Sequence, residues 1–430
     1  MSDSIDTGAE ELDALAHDAA DLLASFRDEF LIPPHGHGEQ VYLCGNSLGL
    51  QPRATRQALL DELDDWSKLA VEAHFRGKHP WMPYHEFVRE QLAELVGAQP
   101  NEVVAMNSLT VNLHLMMVSF YRPTPQRHAI LIEKGAFPSD RYAVESQIRF
   151  HGYDPATALI EIDGDQPDGS ISDAAIERAL DEHGKHIALV LWPGVQYRTG
   201  QAFDLKRISR AAYAKGCNVG FDLAHAAGNI ELKLHDSDCD FAVWCSYKYL
   251  NAGPGAVAGC FVHERHASAV LPRFAGWWGH DKSTRFKMGS QFVPTQGADG
   301  WQLSNPPILA LAPLRVSLEV FHRATMTKLR EKAVELTGYF ESLIDKHLSG
   351  VIDIATPREP ARRGCQLSLR VTSGREAGRS LFEYLDANGI ITDWREPDVI
   401  RAAPTPLYNR RMDCLRFVLA CRDWAEQKTS

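Results

Sequence analysis

Lys248 stands in Cys245-Ser246-Tyr247-Lys248-Tyr249-Leu250-Asn251-Ala252-Gly253-Pro254-Gly255, directly after the apolar run Phe241-Ala242-Val243-Trp244. A lysine there is badly placed to be solvent decoration. Upstream, Asn218-Val219-Gly220-Phe221-Asp222-Leu223-Ala224-His225 reads as a strand that delivers Asp222 at its carboxyl end. Taken singly, the lysine reads as a side chain snorkelling from a strand end and the aspartate as a helix N-cap. Taken together they form the two halves of an electron sink. The amine can form a Schiff base with a cofactor aldehyde such as that of pyridoxal phosphate, and the carboxylate can keep the pyridine nitrogen protonated.

Such a cofactor also brings a phosphate, which calls for backbone N–H groups at a helix start with hydroxyls beside them. Asn107-Ser108-Leu109-Thr110-Val111-Asn112, ahead of Leu113, Met116, Met117 and Phe120 at helical spacing, offers that; it also fits an ordinary Ser or Thr cap. Phe137-Pro138-Ser139-Asp140 follows the first strand of the sheet region, so Phe137 either stacks on a flat ring or belongs to the core. Gly276-Trp277-Trp278-Gly279-His280 places two large aromatics between glycines, as a pocket wall or a subunit contact. Asn305, before Pro306, is a binding amide or a turn residue. An amino-acid substrate adds a carboxylate, which a guanidinium fork recognises. Arg401, on the apolar segment Val399-Ile400-Arg401-Ala402-Ala403, is the better candidate, and Arg395 is its local competitor.

These residues need a frame. His128 to Glu133, Ile187 to Trp192, Asn218 to Asp222, Phe241 to Trp244 and Ala256 to Val262 are strand candidates. Between the first four lie helical stretches such as Asp173 to Glu182 and Asp204 to Tyr213, the alternation of a mostly parallel sheet. The last two strands are close enough in sequence to be an antiparallel pair. Ligands of such sheets bind beyond the carboxyl ends of the strands, where Asp222 and Lys248 fall.

Before the sheet region, Leu12, Leu15, Ala19, Leu22, Phe26 and Phe30 mark an amphipathic helix stopped by Pro33-Pro34. Val41 to Leu50 reads as a short strand and a glycine-bearing turn able to approach a ligand, and Gln51-Pro52 opens a long helix. After Asn305-Pro306-Pro307 a helical region runs to about Leu348 with a break near Thr325 to Thr327. A strand at Cys365 to Val371 and a helix at Glu376 to Asn388 follow. Met412, Leu415, Val418 and Leu419 fall at helical steps and predict a closing helix, although so short a run also fits a strand.

The chain has 430 residues and a formal net charge of −11, without a Lys/Arg block, which argues against a nucleic-acid surface. Arg362-Arg363 reads as a solvated loop. The 8 cysteines lack paired short spacings, so neither a metal site nor a disulfide framework is indicated, and a reducing cytoplasm is the expected setting. Met1 to Asp6 is polar and acidic, unlike a signal peptide, and no apolar run has the length of a membrane span.

Gly45-Asn46-Ser47-Leu48-Gly49-Leu50, Phe137-Pro138-Ser139-Asp140, Gly220 to Ala226, Trp244 to Gly253, Gly276 to His280 and Ser304-Asn305-Pro306-Pro307 resemble the corresponding strings of kynureninases. The resemblance continues through Ala73-His74, Arg401 to Pro404 and Pro406-Leu407-Tyr408-Asn409, so it spans nearly the whole chain. It implies an α/β protein of the fold-type-I pyridoxal-phosphate class. The expected layout is a large, mostly parallel sheet domain of the seven-stranded type at 71–310, a small α+β domain at 311–430, and an N-terminal segment at 1–70 packing with the latter. It also implies a homodimer with active sites at the subunit interface.

By the same resemblance Lys248 carries the Schiff base and also acts as base at the substrate α-carbon, Asp222 meets the pyridinium with His225 close by, and Tyr247 transfers protons. Leu109, Thr110, Phe137, Pro138, Ser139, Asp140, Tyr247, Trp277 and Asn305 would hold the cofactor, Trp277 and Asn305 from the neighbouring subunit. His74, His280 and Asn305 would border the aromatic end of the substrate and Arg401 would take its carboxylate. One family cofactor position falls on Pro193, which has neither hydroxyl nor N–H to offer. The implied reaction is hydrolysis of L-kynurenine or 3-hydroxy-L-kynurenine to anthranilate or 3-hydroxyanthranilate and L-alanine. Two other readings remain: a cysteine desulfurase-like lyase, which needs a mobile nucleophilic cysteine where only Cys365 qualifies, and a catalytically silent cofactor-binding scaffold.

Overall fold

Residues 7–429 are described by the computed structural model of the chain, so the polar start Met1–Asp6 lies outside them. Seven strands form one sheet: β1 (Val103–Ala105), β2 (Ala129–Glu133), β3 (Leu159–Ile162), β4 (Ile187–Pro193), β5 (Asn218–Asp222), β6 (Phe241–Trp244) and β7 (Gly259–Val262), in the spatial order β1-β7-β6-β5-β4-β2-β3. From β6 through β3 all neighbours are parallel. Strand β7 runs antiparallel to both β6 and β1, the alternative that the short connection had left open.

The strands are apolar on both faces because helices cover both. Along β6, Ala242 and Trp244 enter one core while Phe241 and Val243 enter the other; Ile130 and Leu131 of β2 divide in the same way. Gly220 lies where this packing is tightest, since a Cβ there would stand 2.0 Å from the Phe241 ring. Two strands escaped the sequence reading for physical reasons. Val103–Ala105 is too short to show a period, and Leu159–Ile162 is a partly exposed edge carrying Glu161.

The N-terminal helix is shorter than its apolar period suggests. It covers Thr7–Ala20 and stops where the Asp21 carboxylate takes the Leu23 N–H at 2.8 Å. The chain then forms a tight turn of helix, and Phe30–Leu31 pairs with Gln51–Pro52, so the long helix begins one turn later than expected, at Ala54–Leu69. Two helices, Ile308–Ala324 and Met326–His347, meet at Thr325, whose φ of 61° breaks the helical path where the sequence placed a break.

Beyond them a four-stranded antiparallel sheet is built from β8 (Ile352–Ile354), β9 (Leu367–Val371), β10 (Asp393–Arg395) and β11 (Val399–Ala402), in the order β8-β9-β11-β10. The helices Arg375–Ala387 and Arg411–Thr429 complete this region. Asp18 of the first helix takes the N–H groups of Arg411 and Met412 at 2.8 and 3.1 Å, which caps the closing helix from the other end of the chain. Val41–Tyr42 pairs in parallel with Ile390–Ile391. Arg363 is buried, not solvated, with its guanidinium 2.6 Å from Glu341. Among the described residues no helix is long and apolar enough to cross a membrane.

Candidate active site

The carboxyl ends of β2, β4, β5 and β6 open onto a cavity of about 120 Å³. Its lining includes Leu109, Thr110, Phe137, Ser139, Asp140, Asp222, His225, Tyr247 and Lys248, together with Pro193. Lys248 is held there by its loop. Asn251 takes a left-handed φ of 54°, its N–H returns to the Lys248 carbonyl at 2.9 Å, and the Ala252 N–H bonds to the Ser246 carbonyl at 3.0 Å. The glycine-bearing turn after Val41–Tyr42 buttresses this loop and does not face the cavity. The Gly49 N–H bonds to the Tyr247 carbonyl at 2.8 Å, and a Cβ on Gly49 would stand 2.3 Å from the Lys248 carbonyl oxygen.

Lys248 Nζ lies 3.0 Å from His225 Nε2, 5.8 Å from the centroid of the Phe137 ring and 5.9 Å from that of Tyr247. Burial, then the neighbouring lysine, drives the His225 imidazole well below its usual value, so the ring is neutral. A neutral ring that accepts at Nε2 carries its proton on Nδ1, and Nδ1 finds no partner among the described residues. Burial likewise raises the Tyr247 phenol, which stays protonated at neutral pH.

Three carboxyls share this end of the sheet. Asp222, at the end of β5, accepts the Ala224 N–H at 2.7 Å. Asp140 lies within hydrogen-bond reach of it, and burial, then the charge of Asp222, holds the Asp140 carboxyl well above the usual range. One Asp140 oxygen has no partner among the described residues. Glu133, the last residue of β2, lines the same cavity and is pushed up to about 8, chiefly by burial.

Two helices start beside these groups, Leu109–Phe120 and Pro138–Phe150, and neither N-cap residue closes its first turn with a side chain. The ordinary capping reading of Ser108 therefore does not hold. Instead Thr110 and Ser139 bring their hydroxyls 2.7 Å apart between the two helix starts. Uncapped N–H groups with hydroxyls beside them suit an anion such as a phosphate. The orphaned Asp140 oxygen and His225 Nδ1 suit a polar flat ring between that anion and Lys248. The residues fit pyridoxal phosphate.

Arg401 is fully buried next to this cavity and does not line it. Its Nε and Nη2 lie 3.1 and 2.8 Å from the two oxygens of Asp393, and Nη1 donates to the Tyr197 carbonyl at 2.8 Å. Arg395 also pairs with Asp393, at 2.8 Å. Removing two charges from water costs several kcal/mol per ion, so this pair is better explained by holding a guanidinium in place than by stability. Tyr197 links the arginine to the cavity, since its ring meets Phe137 edge-on at 5.3 Å. Tyr197, Val195 and Ala224 line the cavity from loops and Glu133 from the end of β2; none was singled out from the sequence, because loop residues have no periodic signature and a charged residue at a strand end is ordinary in one dimension.

His74, Trp277, His280 and Asn305 are not brought to this cavity within one chain. Trp277 is 44% exposed and Asn305 is exposed, whereas Trp278 is buried against Arg285. His74 packs edge-on to Trp81, and His280 bonds to the Val293 N–H and the Thr284 hydroxyl.

A separate group, Glu102, His235 and His263, places three possible metal-ligand atoms within 4.8 Å of one another. Its donors are already committed. The Glu102 oxygens accept the N–H groups of Gln99 and Glu264 and meet His235 at 3.0 Å, and His263 Nδ1 accepts the Arg265 N–H. The group clasps turns together. All eight cysteines are free; Cys365 is fully buried and its thiol is pushed up to about 12 by burial, which leaves no mobile nucleophile there.

Residues 329–420 match the domain family described as kynureninase C-terminal domain. The chain is 64% identical over 413 residues to a kynureninase of Stenotrophomonas maltophilia, covering 96% of this chain and 97% of that protein. It is 63% identical over 412 residues to a kynureninase of Xanthomonas axonopodis pv. citri, with the same coverage. Among solved structures, a cysteine desulfurase of Escherichia coli superposes with a TM-score of 0.75 at 16% identity over 94% of this chain and 98% of that one. A cysteine desulfurase of Thermococcus onnurineus gives 0.72 at 17% identity, over 90% and 95%. At such identities the likeness carries the fold alone.

Proposed function

The chain belongs to the kynureninase family, and from that premise we propose that it hydrolyses L-kynurenine, or its 3-hydroxy form, to anthranilate, or 3-hydroxyanthranilate, and L-alanine, in tryptophan catabolism. The observation that carries the reading is the meeting of Lys248, Asp222 and Tyr247 in one cavity at the carboxyl edge of the sheet. Pyridoxal phosphate, when bound there, supplies an aldehyde for amines and a ring that accepts electrons.

The side chains divide the remaining work. Lys248 holds the cofactor and takes the proton from the substrate α-carbon. Asp222 keeps the ring nitrogen protonated, Phe137 covers a ring face, and Thr110 and Ser139 with their helix starts take the phosphate. Neutral His225 accepts from Lys248 and so orients its amine. Leu109 lines the wall, and Pro138, which does not line the cavity, starts the helix that carries Ser139 and Asp140. Pro193 contributes packing or its carbonyl. Arg401, held by Asp393, takes the substrate carboxylate with the donors it has left. Water adds to the side-chain ketone, the Cβ–Cγ bond breaks, and Tyr247, kept as a neutral phenol, passes protons to the departing groups.

A direct assay tests this. Incubation with L-kynurenine should release fluorescent anthranilate and alanine in equal amounts, and incubation with L-cysteine should release no sulfide. Sulfide without anthranilate would replace this reading by the desulfurase one, which buried Cys365 disfavours. The ratio of turnover on kynurenine and 3-hydroxykynurenine ranks the two substrates.

The enzyme acts as a homodimer in which His74, Trp277, His280 and Asn305 complete the partner's site. Their placement away from the cavity of their own chain supports this, as does the exposure of Trp277. Mixing Lys248→Ala with Asn305→Ala protein tests it. Half of randomly formed dimers are mixed, and one of their two sites carries neither change, so activity should return to about a quarter of wild type. No return after verified subunit exchange would place Asn305 in its own chain's site. The division into 1–70, 71–310 and 311–430 and a reducing cytoplasmic setting, which suits eight free thiols, belong to the same reading.

A further inference from the structure

Glu133 is absent from the roles assigned above, yet its carboxyl is buried in the cavity floor with Asp140 and Asp222. Three carboxylates buried around so small a space cannot all be ionised. Asp222 has the Ala224 N–H to stabilise its charge; Glu133 meets its own backbone N–H, but burial outweighs it, and Asp140 has an unpartnered oxygen. The charged groups around Glu133 give no relief. Asp222 and Asp140 face it from β5 and from the helix Pro138–Phe150, and Glu161 from β3 is already paired with Arg141 at 2.5 Å. Lys134, next in sequence, points outward to Asp163. Lys248, across the cavity, is engaged with His225.

We propose that Glu133 is a positioning residue of the cofactor site: as a neutral acid it leaves the cluster a single negative charge, carried by Asp222 toward the cofactor's ring nitrogen. With Glu133 neutral, Asp140 keeps its proton and donates a hydrogen bond to Asp222. An ionised Glu133 would add a second negative charge beside Asp222 and Asp140. This rests on the cofactor reading above, but its central claim concerns the apoprotein and is tested there.

The folded Glu133 holds its proton to about pH 8, against 4.5 for the free side chain. Unfolding between these values releases that proton, so the stability of the wild type falls relative to Glu133→Gln as pH rises through this window. The gap in apoprotein Tm between Glu133→Gln and wild type should therefore widen from pH 5 to pH 8 and stay constant above it. In the loaded enzyme the ratio of kcat/KM of the variant to that of wild type should rise about tenfold from pH 7 to pH 9, where roughly nine-tenths of a group titrating near 8 is ionised. If the variant fails to fold, difference infrared spectra of wild-type apoprotein provide a second measurement. Buried acid C=O absorbance from Glu133 and Asp140 should be present at pH 7, and the Glu133 part of it should be lost above pH 8 while that of Asp140 stays.

A pH-independent Tm gap, parallel pH profiles or acid absorbance unchanged between pH 7 and pH 9 would overturn the proposal. If cofactor binding itself failed while the apoprotein signatures held, the cofactor reading would fall and the buried acid would stand.

Discussion

Lys248→Ala protein is expected to fold and to lose at least about 10³-fold in turnover, because one substitution removes both roles proposed for Lys248, holding the cofactor and taking the α-proton. Borohydride should no longer fix the cofactor to the chain. Loss of stability is not the explanation available for such a result. Among the described residues Nζ contacts the His225 nitrogen and two ring faces and forms no ion pair, so its removal should change stability by about 1 kcal/mol or less. Turnover equal to wild type would sink the assignment of Lys248.

Tyr247→Phe should lower kcat by about 10² to 10⁴-fold, the range for loss of a positioned proton donor. KM should change little, since phenylalanine keeps the ring that packs beside Lys248 and its loop. The direction follows from the environment. Burial keeps the phenol protonated, so it can give a proton to a departing group, which a phenolate could not do. Full activity in the variant would limit Tyr247 to holding the cofactor. The contrast with Lys248→Ala is informative, because the tyrosine variant should still carry borohydride-reducible cofactor.

The sheet was readable because its central strands are runs of buried apolar residues ended by functional ones. Asn218–Asp222 and Phe241–Trp244 have the expected bounds, and the break at Thr325 was visible as two small polar residues flanking Met326. The reading failed where periodicity meets a local competitor. The first helix carries an apolar period on to Phe30, but Asp21 captures the Leu23 N–H and Phe30 joins a strand pair formed by residues beyond the helix. A local hydrogen bond and a distant partner outweigh amphipathic spacing there.

The sequence alone pointed to the residues expected to carry chemistry. An amine and a carboxylate at the ends of two apolar strands are costly to bury without a purpose, and that cost is visible in one dimension. It could not determine what those residues meet. Only the tertiary structure decided that Gly49 supports the lysine loop instead of a ligand, that Arg401 is clamped by Asp393, and that Glu133 joins the two aspartates. Each of these depends on through-space distance between segments far apart in the chain. Protonation in particular follows from how many like charges share one dry volume, a quantity that exists only after the strands have been laid side by side.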